Sequence, residues 1–540
     1  SPSPSLGWVG CTLLSHPHQA TTISPSPVSR LISIAACRAL QLAQPRNEEE
    51  RVAVMAASAA AVMEELRGSF REGRTRPAEW RTAQLRALVR MIEEKEDDIS
   101  NALHADLAKP RMEAYLHEIS LAKGACMFAL KGLKNWMKPD KVPSAITTFP
   151  STAQIVPEPL GVVLVISAWN YPFLLSIEPV IGAIAAGNAV VLKPSEIAPA
   201  TSSLFAKLLP EYVDSSCIKV VEGGVTETGA LLEQKWDKIF YTGNGNVARV
   251  VLAAAAKHLT PVALELGGKC PVIVDSNVDL HRFSFKVAAK RIAVGKWGCN
   301  NGQACIAPDY IITTKAFVTE LVDSLKRVLE RFYGEDPLQS ADLSRIVNIS
   351  HFGRLTKLID DKEVATKIQL GGQTDQEQLK IAPTVLVDVP LDTALMTGEI
   401  FGPLLPIITV DKIEESIAHI NAGAKPLAAY LFTKDKKLQQ DFVSNVSAGG
   451  MLVNDVALHL TNPHLPFGGV GDSGMGSYHG KFSFDCFTHR KAVLIRGFGG
   501  EANARYPPYT AEKQRILRGL IKGSFFALIL ALLGFPREKR

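Results

Sequence analysis

Leu85, Leu88, Val89 and Ile92 recur at helical spacing and Ile99 and Leu103 prolong the stripe, which predicts an amphipathic helix from about residue 78 to 106. The chain reads as largely helical up to Met137. Beyond it the apolar residues gather into short runs: 161–168 (GVVLVISA), 189–192, 218–221, 239–242 and 262–264, separated by helical stretches such as 201–212. Buried strands alternating with helices predict a parallel sheet covered on both faces, an α/β domain of nucleotide-binding (Rossmann) type. After Gly267-Gly268 a second series begins, with strands expected at 272–274, 310–313, 384–387, 405–410, 428–432 and 451–453 and helices at 317–333 and 413–421. No internal repeat and no low-complexity linker lies between the two series, so two parallel-sheet domains sharing a cleft are expected.

Composition narrows the partners. The 540 residues are 46% hydrophobic and 21% charged, with a net charge of +5 in which both signs are interspersed, so no electrostatic footprint for nucleic acid is present. The eight cysteines, Cys11, Cys37, Cys126, Cys217, Cys270, Cys299, Cys305 and Cys486, show neither CxxC nor Cys/His spacing, which argues against a metal site and a disulfide framework and for a reducing compartment. The segment from Ser1 to Asn47 lacks acidic residues and is rich in Ser and Pro with a few Arg. Two readings of residues 1–54 stand side by side: an organellar transit segment, or sequence upstream of a start at Met55. At the other end, 525–535 is an apolar run preceded by Lys513, Arg515, Arg518 and Lys522 and followed by Arg537–Arg540. It falls short of the roughly 20 residues needed to span a bilayer, and it suits either peripheral contact with a membrane surface or docking on the protein itself.

Two features carry candidate chemistry. Gly243-Asn244-Gly245-Asn246-Val247-Ala248, between an expected strand and an expected helix, fits G-x-G-x-x-G/A, whose backbone N–H groups can face a pyrophosphate. Such turns are common for purely geometric reasons, and a literal use of the fingerprint would make Glu265 the ribose ligand. The second feature is Cys305 in Gly302-Gln303-Ala304-Cys305-Ile306-Ala307-Pro308. Glycine before it and proline after it fix a tight segment able to present a thiol, and Glu265, at another expected strand end, is a candidate base. A histidine is not required if the thiol is already ionised and the base acts on water.

Six motifs in order carry a resemblance: Trp169-Asn170-Tyr171-Pro172, Lys193-Pro194-Ser195-Glu196, Glu265-Leu266-Gly267-Gly268-Lys269, Gly302-Gln303-Ala304-Cys305, Glu399-Ile400-Phe401-Gly402-Pro403 and Pro466-Phe467-Gly468-Gly469. Over roughly Glu65–Gly500 the chain resembles the aldehyde dehydrogenase superfamily, and within it the class 3 branch in a plant-type version. The resemblance implies NAD(P)-dependent oxidation of an aldehyde to a carboxylic acid through a thioester on Cys305. Asn170 and the Cys305 N–H would hold the oxyanion, and Glu265 would activate the hydrolytic water rather than bind ribose. NAD or NADP would lie against Lys193 and Glu196 at the adenosine ribose. Thr242, Gly243 and Asn244 would lie at the nicotinamide half and the pyrophosphate turn, Glu399 at the nicotinamide ribose, and Phe401 and Trp169 near the ring. The implied domains are a cofactor-binding domain at 63–266 with a β-arm segment at about 140–155, a catalytic domain at 267–465, a return and oligomerisation arm at 466–500, and a tail at 501–540. A homodimer is implied, in the cytoplasm, or in a plastid or at a membrane surface if a terminal segment directs it there.

Departures from the family pattern are Asn244 and Ala248 in the turn, Gly398 before Glu399, and the forty positions between Glu265 and Cys305, several more than usual, with the extra material around 281–286. Rival readings are a silent dimeric scaffold of the same fold, which leaves Cys305, Glu265 and Asn170 without purpose, and a cysteine hydrolase or acyltransferase, which leaves Lys193 and Glu196 unexplained. Medium- or long-chain, lipid-derived aldehydes are the expected substrates, since an apolar tail would suit them.

Overall fold

The computed structural model describes residues 48–145, 148, 150–278, 283–499 and 503–521. The expectations for residues 1–47, for the side chains of 281–286 and for the apolar run 525–535 lie outside the described residues. Of residues 1–58 only 48–58 are described, as the beginning of the helix Glu48–Arg71, and the sheets lie beyond Ala59.

The strands, in chain order, are β1 Asp140–Val142, β2 Ser151–Pro159, β3 Val162–Ile166, β4 Ala189–Lys193, β5 Ile218–Val220, β6 Lys238–Thr242, β7 Val262–Glu265, β8 Pro271–Val274, β9 Tyr310–Thr314, β10 Ile368–Leu370, β11 Thr374–Asp375, β12 Lys380–Ile381, β13 Thr384–Val387, β14 Leu404–Val410, β15 Ala428–Phe432, β16 Gly450–Val453, β17 Gly474–Met475 and β18 Thr488–Arg496. Every residue of β3 and β4 is buried. That is why their sequences run apolar without alternating, as strands covered on both faces do. A six-stranded sheet takes the order β17-β7-β6-β3-β4-β5 and a seven-stranded sheet the order β10-β13-β14-β9-β8-β15-β16. Both are parallel except at the edges formed by β17 and β10. β7 ends at Glu265 in the first sheet and β8 begins at Pro271 in the second, so the chain crosses between sheets through the Gly267-Gly268 segment. One continuous apolar cluster joins them, from Leu88 and Ile177 to Val272, Ile311 and Tyr430.

Register places the functional candidates. Ile166 lies beside Lys193 on one side and Tyr241 on the other, Thr242 lies beside Glu265, and Gly474 lies beside Glu265 from the far side. The carboxyl ends of β3, β4, β6 and β7 thus share one edge, where open parallel sheets receive ligands. The short strand β17 brings the chain back to this sheet from the second one.

The stretch 78–106 is two helices rather than one. Ala78–Glu94 and Glu96–Leu107 are separated at Lys95 (φ −118°, ψ 19°). Glu96, Asp97 and Asp98 occupy the first turn of the second helix, where negative charge complements the exposed N–H groups. The apolar stripe crosses the break, with Leu85, Leu88, Ile92, Ile99 and Leu103 all buried. β1, β2 and β18 form a separate three-stranded antiparallel sheet in which β18 pairs with β2 from Thr488↔Pro159 to Arg496↔Ser151. No helix among the described residues is long and apolar enough to cross a membrane.

Candidate active site

The helix Phe283–Lys296 leads into a loop whose three successive residues Asn300 (φ 52°), Asn301 (φ 48°) and Gly302 (φ 79°) are all left-handed. Asparagine tolerates that region better than most side chains. Gly302 is required there for a second reason, since a Cβ would fall 2.1 Å from the Gly402 carbonyl oxygen. Hydrogen bonds hold the strained segment in place. The Asn300 N–H donates to Glu113 Oε1 at 2.7 Å, and Asn301 Nδ2 donates to the carbonyls of Ser344 and Ile381, each at 3.2 Å. Gln303 Nε2 donates to Arg345 O at 2.9 Å, and Gln303 Oε1 accepts from the Val347 N–H at 3.0 Å. On the far side of Cys305 the Tyr430 hydroxyl donates to Ile306 O at 2.6 Å.

Asn170 follows β3 and is buried beside this loop. Its Nδ2 donates to Gln303 O at 3.1 Å, which leaves one amide proton uncommitted, and its carbonyl accepts from Asn300 Nδ2 and from Lys109 Nζ, both at 2.9 Å. Lys109 is itself fully buried. Its ammonium pairs with Glu118 and sits 3.9 Å from the Tyr171 ring centroid. Glu118 accepts in turn from the N–H groups of Phe173 (2.9 Å) and Leu174 (3.1 Å) at the start of the helix Leu174–Ala186. A sequence stripe gives no signal for this network, because its members are brought together only by packing.

Cys305 is half-buried and lines a cavity of about 230 Å³ whose wall includes Leu121, Leu174, Val294, Ile306, Val456 and Phe467. Burial pushes the Cys305 thiol well up, and the carboxyl groups of Glu399 and Glu265 add to the effect. As the structure stands, the buried Cys305 thiol is set toward its protonated form. The influences that favour the anion are the N–H groups of Cys305 and Ile306, and they do not offset burial. The proton must pass to a base. Glu265, at the end of β7, is 3% exposed, and neither carboxyl oxygen has a hydrogen-bond partner among the described residues. Burial, and then the charge of Glu178, hold its carboxyl well above the ordinary carboxylate range.

The expected cofactor residues gather on the same edge of the six-stranded sheet and beyond it. Lys193, at the end of β4, is buried and donates to Glu196 Oε2 at 2.6 Å, while the Glu196 carboxylate stays open to solvent. Thr242 is buried with its hydroxyl unpartnered. The Gly243 N–H donates to Glu265 O at 3.0 Å, and a Cβ on Gly243 would meet the Tyr241 hydroxyl at 2.2 Å. The Asn244 side chain accepts from the N–H groups of Asn246 and Val247, both at 3.0 Å, capping the helix Gly245–Ala256 with its own amide oxygen. Those two donors are committed internally, which makes this turn a poorer phosphate cradle than an uncapped one. Glu399 accepts from the Gly268 N–H at 3.0 Å, and burial, with Asp309 adding, pushes its carboxyl up to about 7. Phe401 lies edge-on to Trp169 at 5.4 Å, and Trp169 packs on His351 at 4.8 Å. An orphaned buried hydroxyl at Thr242, a lysine–carboxylate pair at the next strand end and an aromatic wall at Phe401 fit a ribosylated, flat-ringed dinucleotide.

Lys269, the last residue of the Glu265–Lys269 motif, ties the two halves. Its ammonium pairs with Asp309 and donates to Gly398 O at 3.0 Å, and Asp309 accepts from the Ile400 N–H at 2.8 Å. Sequence analysis did not single out Lys109, Glu118, Gln303 or Lys269 for this work, although the last two stand inside quoted motifs.

The chain matches the Aldehyde dehydrogenase family over residues 35–493. It is 60% identical over 480 residues to Aldehyde dehydrogenase family 3 member I1, chloroplastic, of Arabidopsis thaliana, covering 89% of this chain and 86% of that one. It is 48% identical over 456 residues to Aldehyde dehydrogenase, dimeric NADP-preferring, of Mus musculus, covering 84% and 98%. Among solved structures, the substrate-bound state of Staphylococcus aureus AldH superposes with a TM-score of 0.82 at 42% identity, covering 86% of this chain and 99% of that one.

Proposed function

The chain belongs to the aldehyde dehydrogenase family, in its family 3, an NAD(P)-dependent group, and we propose that it oxidises medium- and long-chain, lipid-derived aldehydes through a thioester on Cys305. The observation that carries this reading is the cavity: a wall of Leu, Val, Ile and Phe side chains leading to Cys305 offers apolar burial to an alkyl chain and brings its end to the thiol.

In this reading the Cys305 thiol gives its proton to Glu265, which releases it to solvent, and the sulfur bonds to the aldehyde carbon. The resulting oxyanion accepts from the spare Asn170 amide proton and the Cys305 N–H, donors that the Gln303 and Lys109 contacts hold still. When bound, the dinucleotide accepts the hydride that this carbon loses, and a thioester remains on Cys305. Lys193 and Glu196 would hold its adenosine ribose, Thr242 and Gly243 would flank its path, and Glu399 and Phe401 would fix the nicotinamide half. Glu265 then takes a proton from water as the water oxygen attacks the thioester carbon, and the thiol leaves. A carboxyl held high and free of competing donors is suited to receive that proton. Since burial raises both Cys305 and Glu265, turnover is expected to rise with pH, and a profile of kcat/KM against pH checks this.

Strand β18 and the residues just after it present Leu494, Ile495 and Phe498 to solvent, which supports a homodimer formed through that arm, as does the dimeric character named for the mouse relative. A cytoplasmic location accompanies this reading, with a plastid as the alternative if residues 1–54 act as a transit segment. Fluorescent fusions with and without residues 1–54 distinguish the two. The reaction itself is tested by following cofactor reduction with unbranched alkanals of increasing length. kcat/KM climbing by several-fold over successive methylenes is expected, and indifference to length sinks the substrate assignment.

A further inference from the structure

The wall of the cavity is not apolar throughout. Asp455 and Thr461 are polar members of it, and the protein already uses both: Asp455 Oδ2 lies 3.3 Å from Arg291 Nε, its Oδ1 accepts from the Val456 N–H at 2.8 Å, and the Thr461 hydroxyl donates to Leu458 O at 2.8 Å. His117 also lines the cavity, and its Nδ1 is buried with no hydrogen-bond partner among the described residues. An unused ring nitrogen is costly unless something compensates it. His117 stands in the single π-helical turn Tyr115–Ile119, inserted between the helices Arg111–Ala114 and Ser120–Trp136. Turns of this kind carry an extra residue, re-aim side chains and recur at functional sites. The same turn keeps Glu118 inside, clamped to Lys109 and to the N–H groups of Phe173 and Leu174, so the backbone under His117 is firmly held. Burial, and then the Lys109 ammonium, push the imidazole down to about 4. Throughout the neutral range His117 is therefore an uncharged ring with one donor and one acceptor nitrogen. Beside it Leu116 is 51% exposed, and Val294 and Leu458, also on the wall, are exposed.

We propose that His117 is a specificity-determining residue, whose imidazole hydrogen-bonds a hydroxyl on the carbon chain of the aldehyde so that the enzyme takes hydroxylated aldehydes in preference to unsubstituted ones of the same length. The proposal rests on the reading above that the cavity receives the aldehyde chain. A hydroxyl both donates and accepts, so it satisfies the ring in either tautomer, and a chain without one leaves the ring unpaired. Sites built around such a group discriminate against the ligand that lacks its partner.

The test compares kcat/KM for an unsubstituted alkanal with that for hydroxyalkanals of equal length, the hydroxyl moved stepwise along the chain, in the wild type, His117→Leu and His117→Gln. In the wild type one hydroxyl position is expected to stand above the alkanal. In His117→Leu that ratio should fall by about tenfold, through a larger loss for the hydroxyalkanal than for the alkanal, and His117→Gln should recover part of the ratio. An unchanged ratio in His117→Leu overturns the proposal, as does a parallel loss for both substrates, which would mark a structural role. A wild type that oxidises alkanals but favours no hydroxyl position overturns this proposal alone. A wild type that oxidises neither overturns the reading of the cavity with it.

Discussion

Around Cys305 almost every amide is committed. Gln303 bonds at both ends of its carboxamide, Asn300 and Asn301 are pinned in left-handed conformations, and Ile306 is held by Tyr430. Glu265 is the opposite case, a carboxyl 3% exposed with no hydrogen bond to either oxygen among the described residues. The contrast fits the roles proposed for the two groups. A nucleophile gains from being held at one point, because displacement by about 1 Å costs on the order of a hundredfold in rate. A base gains from being left unpaired, because each donor bound to it would lower its affinity for the proton it must take. The first arrangement adds stability to the fold and the second subtracts from it.

The contrast can be broken at either end. Cys305→Ala removes the thiol while leaving the loop intact, so turnover should fall by about 10⁴-fold or more, with unfolding free energy and dinucleotide binding nearly unchanged. Glu265→Gln should lower kcat by about 10²- to 10⁴-fold and leave a stoichiometric burst of reduced cofactor in rapid mixing, since the thioester still forms. Its stability should hold level or rise relative to wild type. That gain should grow as pH climbs above the ordinary carboxyl range, because only the wild type must then ionise a buried, unpartnered acid. Gln303→Ala should do the reverse: unfolding free energy drops by about 2–3 kcal/mol and kcat/KM by about 10²-fold, with no change in the shape of the pH profile. A Gln303 variant that folds as well as wild type would remove the distinction. The smallest effect is at Glu399, whose folded pKa of about 7 lies above the unfolded 4.5. Its contribution to stability is present below the unfolded value and is lost as pH rises toward 7, so Glu399→Gln should gain on the wild type across that window in denaturant titrations.

Much of this organisation is legible in the chain itself. Strands covered on both faces announce themselves as unbroken apolar runs, and the runs at 384–387 and 428–432 coincide with β13 and β15. Cys305, Glu265 and Asn170 stand in motifs that can be quoted from the sequence; in the structure Asn170 bonds Gln303, two residues before Cys305, and the Glu265 carboxyl is near enough to raise the thiol. The break at Lys95 is written in the acidic residues after it, but the apolar stripe runs across it and hides it. Lys109 and Glu118 are not legible. Both read as ordinary surface charges on helices, and only the fold shows that they are buried against Asn170 and the start of the Leu174 helix, 61 and 55 positions away along the chain. The π turn at His117 leaves no trace in spacing, because one extra residue per turn is invisible against an irregular polar stretch.

The last strand of the first sheet has a bearing on how the protein is made. Glu265 is paired on one side with Thr242, which precedes it, and on the other with Gly474, while the Leu266 N–H donates to Ser473 O at 3.1 Å. As the chain emerges from the ribosome, β3 to β7 can assemble early, but the partner that closes the outer side of the base's strand arrives only with the final part of the polypeptide. A chain that ends between Phe401 and Gly474 carries Cys305 and every residue proposed for the cofactor, yet leaves the strand of its proposed base on an open sheet edge. On the proposed mechanism, competence for catalysis waits on the segment that contains β17, a check on completeness built into the sheet.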